Sequence, residues 1–397
     1  MASREKIDIR LVGVDGSVWD LSGRRGGTQG VWLDRAHTGF ITDTPVETVW
    51  QSSVGQIGGT FRGMNFAPRE ITLPVMVLDD KSRAWQETDS QWRRAWSYRE
   101  DSILQVMSGD SVRSLRVRLK ATPEQKLEES SGQERGASLM LMHLIAGDPL
   151  WSSETVTEPW IFDGVHWTGN VTVTNPTDMP MWLKWTVTGP ASIILPDFSF
   201  ESRPGYPGFD QQRRRIVLPH LRYRWDAVVD SDPTHEQLAV VGKPNFWMLL
   251  EKPFLYPVPP RTPPTELPLA VNPLPLLPEV WKRLDIPFEI PVEFLVKMAE
   301  ILERILTGIG LETLEQWSAD GIAIRTRKAL EEAAEWAKDK GIAGEWLSTL
   351  LRVLSKSKLA ELIGEAWGHA WGSAFNMPGA GVQVRMERRW TRPYGLE

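Results

Sequence analysis

The distribution of proline constrains the architecture of this 397-residue chain more than any other feature of its sequence. Ten prolines lie within 253–278, whereas the 86 residues of 292–377 contain none. Proline lacks a backbone donor and cannot continue a helix, so the first stretch favours an extended, semi-rigid connection. In the second stretch, apolar residues recur at i, i+3, i+4 and i+7, as in an amphipathic helix. The sequence therefore predicts a module of roughly four helices at 279–377.

The first zone of the chain, residues 1–150, carries the pattern of β-strands with one helix. Apolar and polar residues alternate with period two at 71–77 and at 115–119, as in half-buried strands. Between these segments, Trp85, Trp92 and Trp96 recur at spacings that place them on one helical face. We therefore expect an N-terminal β-sandwich plus one helix, with the helix packed on its own sheet.

The second zone, residues 151–278, predicts a second β domain. Its short strand-like segments are separated at close intervals by Gly, Pro, Asn and Asp, which is typical of an antiparallel sandwich. After the helical module, residues 378–397 alternate again from Val382 to Met386. Because a lone strand needs a sheet to join, we expect a C-terminal strand at 382–390 that returns to this sandwich. The helical module would then be an insertion.

Composition excludes several classes of protein. The net charge of −6 argues against a nucleic-acid backbone as the main partner. The absence of cysteine excludes disulfides, thiolate catalysis and thiolate metal sites. The charged N-terminus lacks the apolar region of a signal peptide, and no apolar stretch has the length of a membrane span. We expect a protein that is synthesised in the cytoplasm of its host, without a membrane partner.

A search for catalytic and cofactor motifs finds none. The six histidines are scattered singly, without the spacing of metal ligands. The chain contains neither a phosphate-binding glycine motif nor a nucleophile elbow. A pair of carboxylates for glycoside hydrolysis stays open, because their spacing is spatial and not sequential. We therefore predict no enzyme, no catalytic residues, no cofactor and no metal.

Tryptophan is unusually abundant, with 20 copies against 5 of tyrosine and 12 of phenylalanine. Five of them crowd into the start of the second zone, and they are the candidate contact or glycan-binding residues: Trp151, Trp160, Trp167, Trp182 and Trp185. In a regular strand, Trp182 and Trp185 lie on opposite faces. One interpretation is a platform on which sugar rings stack. The alternative is that these residues fill a core and a contact with another chain.

Several segments in order resemble one family of proteins. They are RGMNFAPREITLPV at 62–75, LMLMHLIAGDPLW at 139–151, WTGNVTVTNPTDMPMWLKWTVTGPA at 167–191 and VQVRMERRWTRPYGLE at 382–397. Together they resemble the siphovirus distal tail proteins, in the versions found as minor tail proteins of long-tailed actinobacterial phages. The resemblance covers roughly residues 1–260 and 378–397. The helical module departs from the minimal members of the family.

The resemblance implies a structure and a role. Distal tail proteins form a hexameric ring, built by an N-terminal β-sandwich with a helix and an extended hairpin. Their C-terminal domain is a galectin-like β-sandwich, which in some members binds host saccharides. The ring joins the tail tube to the central tail-tip protein and surrounds the path of the tape measure and DNA. By this analogy, the polar segment 123–136 lies in the hairpin that grips a neighbouring subunit.

The predicted fold is therefore mainly β with an α insertion: an N-terminal β-sandwich, a galectin-like β-sandwich and an inserted helical module. The predicted function is a structural protein of the virion, located at the distal end of the tail. It would form a homo-hexameric hub that contacts the tail tube protein, the central tail-tip protein and the tape measure protein. The alternative is an adhesin that binds a host cell-surface glycan, and a third hypothesis is a cell-wall hydrolase.

Overall fold

The computed structural model describes residues 7–79, 84–109, 111–126, 136–163, 166–222, 224–272 and 379–396, with isolated positions between 292 and 352. The chain divides into two compact units. Unit 1 comprises Met1–Thr155, Pro176–Met179 and Glu387–Glu397, and unit 2 comprises Val156–Asn175 and Pro180–Met386. The isolated positions are helical. The predicted helical module at 279–377 otherwise lies outside the described residues, and its boundaries stay a prediction.

Unit 1 is built on one antiparallel sheet of ten strands. The strands are β1 (Asp8–Val12), β2 (Val18–Ser22), β3 (Val31–Leu33), β6 (Arg69–Leu78), β7 (Ser102–Ser108), β8 (Ser111–Leu119), β9 (Glu124–Lys126), β10 (Ala137–Ala146), β11 (Trp151–Ser152) and β21 (Arg389–Trp390). The main path runs β2-β1-β7-β8-β10-β6-β3. Its two halves are joined by the short pairing of β8 with β10, at Leu119↔Leu144 and Arg118↔Ile145.

One apolar core lies inside unit 1. Side chains along β10 alternate between buried and half-buried, as the sequence pattern predicts for a strand with one inward face. Helix α1 (Trp85–Arg94) adds Trp92, whose ring meets those of Trp19 and Trp96 edge to face at 5.3 Å. Edge-to-face packing of this kind suits aromatic quadrupoles. The predicted tryptophan face of this helix is therefore part of the core of its own unit.

Unit 2 contains two antiparallel sheets. The five-stranded sheet has the order β12 (Val156–Ile161), β20 (Gly381–Met386), β14 (Leu183–Thr188), β17 (Asp226–Asp230) and β18 (Leu238–Val240). The four-stranded sheet has the order β13 (Thr168–Asn175), β19 (Thr262–Val271), β15 (Ile193–Pro196) and β16 (Arg215–Val217). Two short 3-10 helices, Phe209–Gln211 and Phe246–Leu249, lie in its loops. Inward side chains of both sheets share one core. The predicted mainly β fold is confirmed.

The C-terminal segment differs from the single strand predicted at 382–390. Strand β20 ends at Met386, after pairing on one side with β12 and on the other with β14. A second strand, β21, pairs with β11 in unit 1 through Trp390↔Trp151. Residues 387–388 separate the two strands, so the C-terminal segment contributes β20 to unit 2 and β21 to unit 1.

The proline-rich stretch also differs from the prediction of a plain connection, because Thr262–Val271 forms the ten-residue strand β19. Prolines within it are tolerated for a geometric reason. Strand β19 pairs with β13 along its length, but with β15 only at Ala270 and Val271. Pro268 therefore lies where one side of the strand has no sheet partner among the described residues, and Pro263 and Pro264 lie opposite the register shift between Val173 and Asn175. A missing backbone donor costs little on such an edge.

A histidine in unit 2 makes the stability of that unit depend on pH. His220 is partly buried in the loop between β16 and β17, and neither ring nitrogen has a hydrogen-bond partner among the described residues. Burial, with a smaller contribution from Arg222, lowers the pKa of His220 to about 4. The neutral ring is favoured in the folded chain, whereas the unfolded chain takes up a proton below about pH 6.5.

We therefore expect stability to be lost as the pH falls from about 6.5 towards 4, by up to about 3 kcal/mol from this residue. The measurement compares urea unfolding of the wild type and of His220→Gln at several pH values in this range. The free energy of unfolding should change less with pH in His220→Gln than in the wild type. Equal slopes in wild type and His220→Gln would contradict the prediction.

Candidate assembly site

The five candidate tryptophans do not form one exposed surface. Trp151 is fully buried in the core of unit 1, and Trp185 and Trp167 are buried in the core of unit 2. Trp160 and Trp182 are half-buried. The ring of Trp160 lies over Gly169 of the neighbouring sheet, so close that a Cβ at Gly169 would meet its Nε1 at 2.1 Å. A platform of all five rings is thus not available, and glycan binding at Trp160 or Trp182 stays a prediction.

The two tryptophans of the 175–190 segment have different environments, as their spacing predicts. In β14 and the residue before it, burial alternates so that Trp185 faces the core and Trp182 faces outward. Trp185 is therefore part of the core of unit 2, whereas the outward ring of Trp182 is available for another contact.

The most exposed apolar surface of unit 1 is a hairpin that sequence reasoning missed. Strands β4 (Val46–Gln51) and β5 (Thr60–Phe66) form a separate two-stranded sheet, which we call the hairpin. Trp50, Phe61 and Met64 are 60%, 51% and 53% exposed, and Val54 and Ile57 at the tip are fully exposed. An isolated two-stranded hairpin is marginally stable in water at best. Exposed apolar residues concentrated on such an element mark a contact with another molecule.

The register of the hairpin separates an apolar face from a polar face. Directly opposite residues of an antiparallel pair project to the same side. The pairs Val46↔Phe66, Thr48↔Met64 and Trp50↔Phe61 therefore share one face. Trp50 and Phe61 meet edge to face at 5.5 Å, and Trp50 Nε1 donates to Thr48 Oγ1 at 3.0 Å. We call this the apolar face of the hairpin.

The opposite face is mostly polar. It presents the pairs Glu47↔Asn65 and Gln51↔Thr60, with Val49 opposite Gly63 between them. Arg62, the extra residue of a β-bulge in β5, donates from Nε to Gln51 Oε1 at 2.7 Å. At the tip, Gly55 and Gly58 adopt positive φ angles of 82° and 81°, which glycine reaches without strain. The hairpin is thus an amphipathic ribbon whose apolar side lacks a cover among the described residues.

The base of the hairpin is held by a buried arginine. Arg69, just after β5, is fully buried, and its five N–H groups all donate to oxygen atoms. The acceptors are the carbonyl oxygens of Gly39, Thr42, Pro149 and Thr391 and the hydroxyl of Thr44, at 2.8–3.0 Å. Burial lowers the pKa of Arg69 to about 10, so the group stays charged at neutral pH. One side chain thereby fixes the segments that flank both strands.

The hairpin predicted at 123–136 is different from the one observed at 46–66. Within the predicted segment, β9 (Glu124–Lys126) pairs with β10 in the main sheet, and residues 127–135 lie outside the described residues. The signal that could have located the observed hairpin is VETVW and TFRGMNF on either side of SSVGQIGG. Two alternating segments around a glycine-rich turn are typical of a hairpin. Exposure of its apolar residues follows only from the structure.

Metal and membrane sites were sought within the part of the chain that the structure describes. There, no group of three or more acidic or histidine side chains is arranged to hold a metal ion. Over the same residues, no helix is long and apolar enough to cross a membrane.

Known proteins resemble this chain in sequence over 60% of its length. It is 27% identical over 295 residues to the minor tail protein Gp27 of Mycobacterium phage L5, covering 60% of this chain and 84% of that protein. It is also 27% identical over 290 residues to the minor tail protein Gp27 of Mycobacterium phage D29, with the same shares. The chain is similar to phage minor tail proteins. The resemblance predicted from the sequence, and the predicted class of structural phage tail protein, are therefore confirmed.

Solved structures resemble this tail protein more distantly. The crystal structure of the Dit protein of phage SPP1 is 12% identical, with a TM-score of 0.45, and covers 66% of this chain and 94% of that protein. The activated baseplate of phage P2 with Ca contains a chain that is 11% identical, with a TM-score of 0.36, covering 68% of this tail protein and 98% of the P2 chain. No protein-family model matches the sequence. The assignment rests on the sequence relatives.

Proposed function

We propose that this tail protein is a homo-hexameric hub at the distal end of the virion tail, where it joins the tail tube to the tail tip. Its relationship to minor tail proteins supports a structural role. The observation that carries the proposal is the amphipathic hairpin, whose apolar face has no cover among the described residues. The protein acts through assembly and has no turnover. Its partners are the tail tube protein, the central tail-tip protein and the tape measure protein.

The hairpin suits contact with a second copy of the chain. Each copy offers the same ribbon, and the apolar face of one copy would pack on a different surface of the next copy, which makes the contact head-to-tail. Such heterologous contacts close into a ring when the rotation between copies divides a full turn. Six repeated contacts also multiply a modest affinity, since each copy is held by two neighbours. The proposed inserted helical module at 279–377 would then be available for other tail or host components.

A pair of substitutions tests this contact. Trp50→Glu with Phe61→Glu places two carboxylates on the apolar face, and burying an unpaired charge costs several kcal/mol. We therefore expect the dissociation constant of the assembly to rise by on the order of 100-fold or more. The measurement is the mass by light scattering, followed by negative-stain images of the largest species. The wild type should form rings of six and the double variant monomers.

The matched control is Val49→Glu, which adds a carboxylate to the polar face of the same strand. It should assemble as the wild type does. Rings in the double variant would exclude the apolar face as the contact. Loss of rings in both variants would mean that any charge on the hairpin disturbs it. A wild type that stays monomeric with its tail-tip partner present would overturn the hub, and binding to purified host glycan would become the next test.

A further inference from the structure

We propose that residues 389–396, which we call the C-terminal strap, hold the base of the hairpin and give it a fixed direction. The inference deepens the proposed function, because it names the element that presents the assembly contact. It rests on contacts within unit 1 and concerns the isolated protein as well as any ring.

The first contact joins the strap to the residues before β4. The carbonyl oxygen of Thr391 accepts hydrogen bonds from Arg69 Nη2 at 3.0 Å and from Thr44 Oγ1 at 2.9 Å. Arg69 Nη2 also donates to Thr44 Oγ1 at 2.9 Å. These three groups form a buried triangle at the foot of the hairpin, and Thr44 is 5% exposed. Buried polar groups that satisfy each other in this way strongly favour a single geometry.

The second contact is an ion pair at the surface next to this triangle. Arg392 of the strap donates from both Nε and Nη2 to the carboxylate of Asp43, and the second of these distances is 2.9 Å. The hydrogen bond from Arg392 holds the pKa of Asp43 below its usual value. A two-pronged arginine–carboxylate pair fixes orientation as well as distance. It ties the strap to the residue beside Thr44.

The strap itself is anchored in the core of unit 1. The buried Arg113 of β8 donates to the carbonyl oxygens of Arg392 and Gly395 at 2.9 and 2.8 Å. Its guanidinium lies 3.7 Å above the ring centre of Trp390, which is itself buried. Stacking and hydrogen bonding to the same arginine restrain the strap along its length. A rigid strap can therefore transmit its position to the hairpin base.

The strap and the base of the hairpin lie far apart in the sequence. Asp43 and Arg392 are separated by 349 positions, and every residue of unit 2 lies between them. During synthesis, the hairpin strands emerge long before the strap that orients them. The hairpin is therefore presented for assembly only after the residues of unit 2 have been made. The strap thus favours assembly of chains that already contain unit 2.

The test measures the direction of the hairpin in the full-length protein. Because the chain contains no cysteine, spin labels on Ile57→Cys at the tip and Val18→Cys in β2 report one distance by pulsed EPR. The measurement is made at a dilution at which light scattering shows only monomers, so that a neighbouring copy cannot hold the hairpin. We expect a narrow distribution of distances between the two labels when the strap is unchanged. Asp43→Arg with Thr44→Val should widen it about two-fold, since the base loses both contacts.

A charge-reversal variant distinguishes loss of hairpin orientation from a general loss of structure. Asp43→Arg alone should also widen the distribution, and adding Arg392→Asp should narrow it again by restoring the pair with reversed charges. The control is Asp101→Arg, which breaks a half-buried ion pair with Arg118 elsewhere in unit 1 and should leave the distance unchanged. Thermal unfolding, measured in parallel, should hardly change for the surface substitutions.

Two results would contradict the proposed role of the strap. One is a broad distribution of label-to-label distances in the protein with the natural strap. The other is a distribution that does not widen after Asp43→Arg with Thr44→Val. Failure of the charge reversal to restore the narrow distribution would overturn the role of the Arg392 pair. None of these results depends on ring formation. A narrow, strap-dependent hairpin in a protein that never assembles would instead overturn the proposed hub and leave the strap intact.

Discussion

Replacing Arg69 with methionine is expected to lower the free energy of unfolding by about 3–5 kcal/mol. The substitution keeps much of the apolar stem but removes all five donors. Four carbonyl oxygens and the Thr44 hydroxyl are then left without this partner at the foot of the hairpin. Each buried polar group that loses its partner costs about 1–3 kcal/mol, so several losses at one place produce a large effect even after relaxation.

Urea unfolding of the full-length protein measures this change. Arg69→Lys should rescue little, because an ammonium has three donors and cannot match the planar geometry of five. The control is Arg118→Met, at a half-buried arginine whose ion-pair partner is Asp101, and it should unfold close to the wild type. If Arg69→Met unfolded at the same urea concentration as the wild type, the hydrogen bonds at the hairpin base would contribute little to stability.

Removing the side chain of Trp185 is expected to cost about 3–5 kcal/mol. The ring is fully buried in the core of unit 2, where β14 lies between β17 and β20. Truncation to alanine leaves a large cavity that the two sheets can fill only in part, and this cavity adds to the lost transfer free energy.

Trp182→Ala, three residues away, is the matched comparison. Its half-buried ring faces outward, so we expect a loss of about 1 kcal/mol in the isolated protein. Thermal or urea unfolding of both variants distinguishes the two environments. Equal losses would show that the outer ring is as well packed as the inner one. A Trp182→Ala protein that folds normally but fails to assemble or to bind glycan would assign the outer ring to a contact.

The strand pattern of both units could be read from the sequence because each buries one face of its strands. Alternation at 71–77 and 115–119 corresponds to β6 and β8, and the tryptophan face at 85–96 corresponds to α1 and the residues after it. Period two and period 3.6 arise from backbone geometry alone, so they survive in any fold that has one inward face. The spacing of Trp182 and Trp185 predicted their opposite faces for the same reason.

The hairpin at 46–66 shows where such reasoning stops. Its strands carry apolar residues at most alternate positions, interrupted by Val49 and by the bulge at Arg62, yet its apolar face is exposed. The periodicity of a sequence indicates that a strand has an apolar side. It does not indicate whether that side is covered by the same chain or by another molecule. The polar segment at 123–136 follows the family resemblance, and its place in a subunit-gripping hairpin stays a prediction because residues 127–135 lie outside the described residues. At 46–66, exposed apolar residues on a strand pair mark a contact with another chain, and the sequence alone does not distinguish them from core residues.

The sequence by itself determined the mainly β class, the tryptophan-rich helix of unit 1 and the relationship to phage minor tail proteins, since local periodicity and ordered motifs carry these properties. Only the tertiary structure decided that Arg69, Thr44 and Thr391 meet, that β20 and β21 divide one segment between two units, and that Trp50 and Phe61 are exposed. These contacts join residues as much as 347 positions apart. Their free energy depends on which groups are brought together in space, and no local pattern records that.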